Sequence, residues 1–524
     1  MGLGHLALIL HAHLPFVRHP EHDEFYEEDW LFEAITETYI PLILMMRRLS
    51  EDGVPFKLTM SITPPLCAML NDELLRGRYL RHLERSIDLA RRETERHREH
   101  PPLLELARCY CEQLTATRDQ FESWNRDLIA VFRELQDTGV LEIIASAATH
   151  GLLPLLVQSP EAVRAQILIG RDVYRENFGR DPSGFWLPEC AYSPGLEKIL
   201  QEANLRWFVL DAHGLILGKP RPRRAIYAPC FTAAGPAAFA RDPDSSREVW
   251  SAQAGYPGDP AYRDFYRDVG FDLPLEDVFP ASNAPTPRFT GIKYHRITGA
   301  DTAKEIYNRD WANNVAATHA DHFLQSRRGQ LNGLRGTMSD PVVVMPFDAE
   351  LFGHWWYEGP LFLELFLRAA AKHADELQLT SPSDYLARAS THEIVAPAAS
   401  SWGEKGYWGV WLHQTNAWIY PHLHAAARRM TEMARAHAEI RDEITERVLK
   451  QLARELLLAQ SSDWAFLIKT ATARDYAAKR VNDHIKRFNT LYEQLKTGEI
   501  DAAFVAECEA SDNLFPNVAW RYYL

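Results

Sequence analysis

The chain has 524 residues, 24% of them charged, and a formal net charge of −14, a balance that disfavours non-specific nucleic-acid binding and suits neutral or small partners. It is too long for one compact core, so two or three domains are expected; beyond an N-terminal strand-like run it has no apolar stretch of about 18 residues, so no membrane segment is expected. Six scattered cysteines (Cys67, Cys109, Cys111, Cys190, Cys230, Cys508) include only one C-x-C pair, a poor zinc pattern that reads as reduced thiols in a cytoplasmic protein.

The first element, HLALILHAHL, is a short apolar run emptying into polar residues. That is the pattern of a buried parallel strand, and the absence of a basic n-region and a small-residue cleavage site separates it from a signal peptide. EAITETYIPLILMMRRLSEDG has helical spacing up to Gly53, and PFKLTMSITP reads as a second strand. Residues about 66–138 are long, charged and helix-like, RHLERSIDLARRETERHREH most of all, which predicts a helical insertion with a solvated face. GVLEIIASAATHG, PSGFWLPEC, RWFVLDAHG and PVVVMPFDAELFGHWW then repeat one arrangement, an apolar strand with polar residues at its C-terminal tip. Strands alternating with helices imply an α/β fold with a parallel sheet, whose functional groups gather at the strand C-termini. Residues 230–300 are rich in Gly, Pro and Tyr and are expected to form one strand plus long loops, within a loop-rich segment 214–300. From about residue 400 amphipathic helices take over, dividing the chain into a catalytic domain over 1–400 and a helical domain over 401–524.

Two carboxylates follow strongly apolar runs, Glu189 and Asp348. An acid is rarely placed among apolar neighbours unless it is paired or used. Two carboxyls converging on one cleft, their pKa values held apart, are the minimal equipment for breaking a glycosidic bond; either acid alone could equally cap a helix or pair with an arginine. His11 and His13 lie two apart on a strand end and face the same side. With Asp211, His150 or His213 they could form a metal site, but no third ligand lies at short spacing. They are therefore read, with His354, as tips that grip a polar substrate, and no metal or cofactor is expected. The aromatic content (14 Trp, 20 Tyr, 24 Phe) fits large cores or sugar-ring stacking equally.

Taken together, HAHLPF (11–16), EIIASAATHGLLPLL (142–156), GFWLPECAY (184–192), MPFDAELFGHWWYEG (345–359) and SSDWAFLI (461–468) resemble glycoside hydrolase family 57, and within it the α-1,4-glucan branching group. The resemblance implies an incomplete (β/α)7 barrel with a helical insertion and an all-helical C-terminal domain. It also implies a retaining double displacement, with Glu189 as nucleophile and Asp348 as acid/base, and an amylose- or glycogen-like α-1,4-glucan as partner. His11, His13, His150 and His354 would line the subsite around the cleaved bond. Asp211 and His213 are further polar tips for sugar hydroxyls. Trp30, Trp402 and Trp411 match aromatic platforms, and Arg263 and Asp463 match substrate-contacting positions.

One departure stands out. The branching group carries a Tyr-Gly tip on a loop that covers the cleft after the DAH strand; the corresponding GLILGKPRPRRAIYAPC carries Arg224-Ala225 there, with Tyr227 nearby. An open cleft admits water to the covalent intermediate, so an α-amylase or 4-α-glucanotransferase on the same scaffold is the competing reading. A metal-dependent carbohydrate deacetylase and a non-catalytic glucan-binding protein are more distant ones.

Overall fold

The computed structural model describes residues 2–251, 254–278, 287–299, 302–388 and 392–524. Its centre is a sheet of parallel strands: β1 (Gly4–Ala12), β2 (Leu58–Ile62), β3 (Leu141–Ser146), β4 (Gly184–Trp186) and β5 (Trp207–Leu210). After a short antiparallel β6 (Cys230–Phe231) come β7 (Ala237–Ala240), β8 (Val342–Asp348) and β9 (Leu377–Leu379). The parallel strands run in the order β7-β5-β4-β3-β2-β1-β8, and β9 adds to the start of β1. The sheet path ends at β7 and β8, but the two ends meet where Asp242 N–H donates to the Val344 carbonyl at 2.8 Å. The result is the expected incomplete seven-stranded barrel.

Every residue of β1 is buried, as is β8 up to its last, because helices cover the sheet outside and side chains fill it inside. Pro346 is tolerated inside β8 because that strand has a sheet neighbour, β1, on one side only. Gly184 has a steric reason: a Cβ there would lie 2.2 Å from the buried Trp207 indole.

The insertion is helical throughout, with Glu73–Arg96 and Pro101–Ser123 as its long members. Asp72 caps the first at Leu75 N–H and also binds Arg18 and Asn513, so one carboxylate ties β1's exit, the insertion and the C-terminus together. The helix predicted to end near Gly53 is continuous through a π turn at Ile35–Tyr39, and Gly53 takes φ +67° just past its end. The segment 214–300 is more regular than expected: β6, β7 and the helix Pro243–Trp250 lie in it, the last capped by Asp242. Residues 252–253, 279–286 and 300 of that segment lie outside the described residues.

Helices from Ile419 onward make the C-terminal domain. Its centre is polar as well as apolar. Glu455 accepts from His484 Nδ1–H at 2.8 Å while Arg480 donates to His484 Nε2 at 3.1 Å, all buried. This leaves His484 neutral with both ring nitrogens partnered, the condition under which such a network is tolerated. Among the described residues no helix is long and apolar enough to cross a membrane.

Candidate active site

The strand ends at the C-terminal mouth converge on Glu189. Beyond β4 the chain turns through Leu187-Pro188 and enters left-handed backbone at Glu189 (φ 63°) and Cys190 (φ 49°). Such geometry costs of order 1–3 kcal/mol per residue and persists only where neighbours enforce it. The neighbours are clear: Cys190 N–H and Ala191 N–H close the turn onto Leu187 and Pro188, and Tyr192 exchanges backbone hydrogen bonds with Ser400. Trp402 N–H donates to the Glu189 carbonyl at 3.1 Å.

The carboxylate so displayed receives Trp402 Nε1–H on Oε2 at 2.8 Å, and Ser462 Oγ lies 3.4 Å from Oε1. His150, itself at φ 56°, places Nδ1 3.8 Å from the same Oε1. Below it His11 lies flat on Trp186 (4.4 Å between ring centres) and its Nε2 is 3.0 Å from His150 Nε2. His13 stacks on His150 at 3.9 Å; its Nε2 is 3.0 Å from Asp463 and its Nδ1 2.9 Å from Thr63 Oγ1. Burial alone would push Asp463 up, but the His13 ring, His150 and Ser461 hold its carboxyl at about 2.

Asp348, the last residue of β8, is in register with His11 on β1, one strand spacing away, about 4.8 Å. Among the described residues no donor contacts its carboxyl. Burial and the neighbouring Glu350 carboxylate push it well above the usual range, with Arg241 opposing. Glu350 is fixed by His13 N–H and the Tyr39 hydroxyl. Glu189 is pushed up to about 8 by burial, with the Trp402 N–H opposing and the Asp348 and Asp463 charges adding to it. The Asp348 charge is thus felt at Glu189, so that ionising one acid opposes ionising the other. The Glu189 side chain is 17% exposed and receives the donors, whereas Asp348 has none among the described residues.

Two further groups flank this centre. Asp211 lies 2.9 Å from His213 Nδ1 and accepts from Arg241 Nε (3.0 Å), and His213 Nε2 is 2.8 Å from the Gly406 carbonyl oxygen, so the pair steadies the loop carrying Trp402. On the opposite flank Glu37, on the π turn, binds His354 Nδ1 at 2.6 Å; burial would raise it, but His354, Lys293 and Arg263 bring it down to about 2. Trp30 is half-buried, edge-on to Tyr476, which also meets Trp464 beside Asp463.

Three expectations differ in the structure. Arg263 is buried, its guanidinium 3.8 Å from the centre of the Tyr357 ring and 3.7 Å from Glu37, so it holds Glu37 and has no face for a sugar. Trp411 is 2% exposed and lies under Gly403, where a Cβ would fall 2.4 Å from its ring; it supports the loop and is no platform. Arg224-Ala225 is no cleft tip, since the Arg224 guanidinium binds the carbonyls of Ser339 and Asp340, before β8 begins. That is the opposite end of the barrel, roughly 20–25 Å along β8 from Asp348. Tyr227 lies there too, its carbonyl accepting from Val342 N–H.

The metal set imagined from His11 and His13 with Asp211 or His213 does not assemble, because the latter two are committed to Arg241 and Gly406. His13, His150 and Asp463 do place ligand atoms within 4.8 Å of one another. Both ring nitrogens of each histidine already have partners, which a cation would displace.

Sequence reasoning missed Ser462, Glu350, Glu37 and Arg241. Glu350, two residues past Asp348, and Ser462, next to Asp463 in SSDWAFLI, left a local trace.

Residues 7–397 match the family model for glycosyl hydrolase family 57, and residues 422–523 that for the C-terminal region of 1,4-α-glucan branching enzymes. A 1,4-α-glucan branching enzyme of Thermococcus kodakarensis is 34% identical, the match covering 99% of this chain and 78% of that protein. Among solved structures, an α-amylase of Thermotoga maritima is 43% identical with a TM-score of 0.93, covering 100% of this chain and 99% of its own. A branching enzyme of Pyrococcus horikoshii of this family is 34% identical with a TM-score of 0.89, covering 100% and 97%. The chain belongs to glycosyl hydrolase family 57.

Proposed function

We propose that the protein is a 1,4-α-glucan branching enzyme working by retaining double displacement, with residues 1–400 as its catalytic unit and 401–524 as a helical domain that completes the site. The carrying observation is the asymmetry of the two acids. Glu189 has donors aimed at both carboxylate oxygens, whereas Asp348 has none among the described residues and lies beside the Glu350 charge. Asp348 therefore protonates the departing O4 while Glu189 attacks the anomeric carbon, breaking the α-1,4 bond and forming a glycosyl-enzyme. Asp348, now ionised, takes the proton from an acceptor O6, whose oxygen displaces Glu189 and forms the α-1,6 bond. His11, His13, His150 and Asp463 wall the bond-breaking subsite, Trp30 and Trp402 contact the glucan beside it, and His354, Asp211 and His213 lie at its flanks. The branching-type C-terminal region and the named branching-enzyme relatives support transfer. Six free thiols support a cytoplasmic setting.

A second reading, α-amylase, is favoured by the Thermotoga maritima likeness and by the Arg224 segment being tied away from the mouth. Amylose incubation separates them. Transfer predicts loss of iodine colour with few new reducing ends until a debranching enzyme is added. Reducing ends rising in step with total bond cleavage would establish hydrolysis instead.

A further inference from the structure

The C-terminal domain contributes more to Glu189 than a wall. Ser462 opens the helix Ser462–Thr470 and reaches back across the chain to the β3 tip. Its N–H donates to the His150 carbonyl at 3.2 Å, and Ser461 pairs with Gly151 in an isolated bridge. Its hydroxyl oxygen lies 2.9 Å from His150 Nδ1 and 3.4 Å from Glu189 Oε1. A hydroxyl has one proton to give, so it donates to one of these and accepts from the other.

We infer that Ser462 is a positioning residue for the nucleophile, the last link of a one-way hydrogen-bond chain from His11 Nε2–H to His150 Nε2, from His150 Nδ1–H to Ser462 Oγ, and from Ser462 Oγ–H to Glu189 Oε1. The direction follows from the far end. His11 Nδ1 is buried and has no hydrogen-bond partner among the described residues. Run in reverse, the chain would strand an N–H at that nitrogen; run forward, it leaves there only a bare lone pair, the cheaper vacancy. Burial keeps His11 and His150 neutral, so each has a single N–H to place. The forward chain delivers a donor to Glu189, which favours its ionised, attacking form. This inference rests on the reading of Glu189 as nucleophile.

The test compares wild type with Ser462→Ala, Ser462→Thr and Ser462→Cys in the full chain, measuring glucan turnover, its pH profile and thermal unfolding. Ser462→Ala is expected to lower kcat about 10- to 100-fold with KM within about two-fold, since the bond to a charged acceptor serves the reacting group. Its acid limb moves up by about one pH unit, because losing a donor raises the carboxylate's pKa. Glu189 is faced by Asp348 from β8, His13 from β1, His150 from the β3 tip, Trp402, and Asp463 beside Ser462, while Arg241 after β7 faces Asp348. All remain in these variants, so the shift reports the lost hydroxyl. Ser462→Thr retains kcat within about three-fold because the hydroxyl survives.

Wild-type kcat and acid limb in Ser462→Ala, or equal damage in Ser462→Thr and Ser462→Ala, overturns the inference. Should Ser462→Ala not fold, Ser462→Cys, close in volume but a weak donor, carries the same comparison, and wild-type behaviour there overturns it equally. A Glu189→Gln control separates the two failures. Turnover surviving in it sinks the nucleophile assignment, whereas an inactive Glu189→Gln beside an unaffected Ser462→Ala sinks only the role of Ser462.

Discussion

The two ends of the barrel use the same pair of strands and the same residue types to opposite effect. At the N-terminal end His5 on β1 meets Asp340, just before β8, at 2.6 Å; at the C-terminal end His11 is in register with Asp348. The first pair satisfies its acid, which is 56% exposed, although His5 Nδ1 has no partner among the described residues. Asp340 is taken by His5, and its carbonyl by Tyr385 and Arg224. A groove of about 560 Å³ lies at that end too, lined by Leu3, Gln325 and Arg328 among others, with Arg328 already bound to Glu376. At the other end His11 Nε2 lies 3.0 Å from His150 Nε2, and among the described residues Asp348 has no donor and lies beside another carboxylate. The proposed chemistry lies at the end where the acid lacks a donor among the described residues, not at the end with this groove.

The sharpest way to break this contrast is at Asp348. Asp348→Asn is expected to cost at least about 10³-fold in kcat, as loss of the acid and then the base in both steps. Its stability should hold or rise, because a carboxyl crowded by Glu350 has been removed; a fall in Tm with activity retained would refute the assignment. At the N-terminal end, His5→Ala is expected to lose about 1–2 kcal/mol of stability, read by denaturant unfolding, with kcat within two-fold. A catalytic defect there would erase the distinction between the ends.

The pH profile sharpens it further. Glu189 must be ionised to attack, and burial together with Asp348 and Asp463 raises it to about 8, with Trp402 opposing. Activity should therefore climb as pH rises through the neutral range, well above the limb of an ordinary glutamate near about 4.3. An acid limb at that ordinary value would mean that Glu189 is not the titrating nucleophile. The smallest effect belongs to Arg224→Ala. Because its guanidinium serves the N-terminal end, the ratio of branching to hydrolysis should not move; a changed ratio would put that segment over the cleft during turnover.

The strands and their polar tips were legible because burial on both faces forces continuous apolar runs, and Glu189 and Asp348 stood out as acids ending such runs. What acts across the chain was not legible. Ser462 meets Glu189 over a separation of 273 positions and His150 over 312, and neither spacing leaves a local pattern. Arg263 and Trp411 have the right chemistry for a sugar but are buried, a property no motif reports. Arg224-Ala225 sits in a Pro- and Arg-rich loop whose direction depends on the carbonyls before β8. Glu37 depends on a π turn, an irregularity that helical periodicity conceals.

The account turns on a covalent bond to Glu189. Asp348→Asn incubated with an α-maltosyl fluoride, whose leaving group needs no acid, should accumulate a glycosyl-enzyme that no base helps to resolve, and peptide mass spectrometry should find the sugar on Glu189. A label on another residue, or no label with release of the inverted β-anomer, would contradict it.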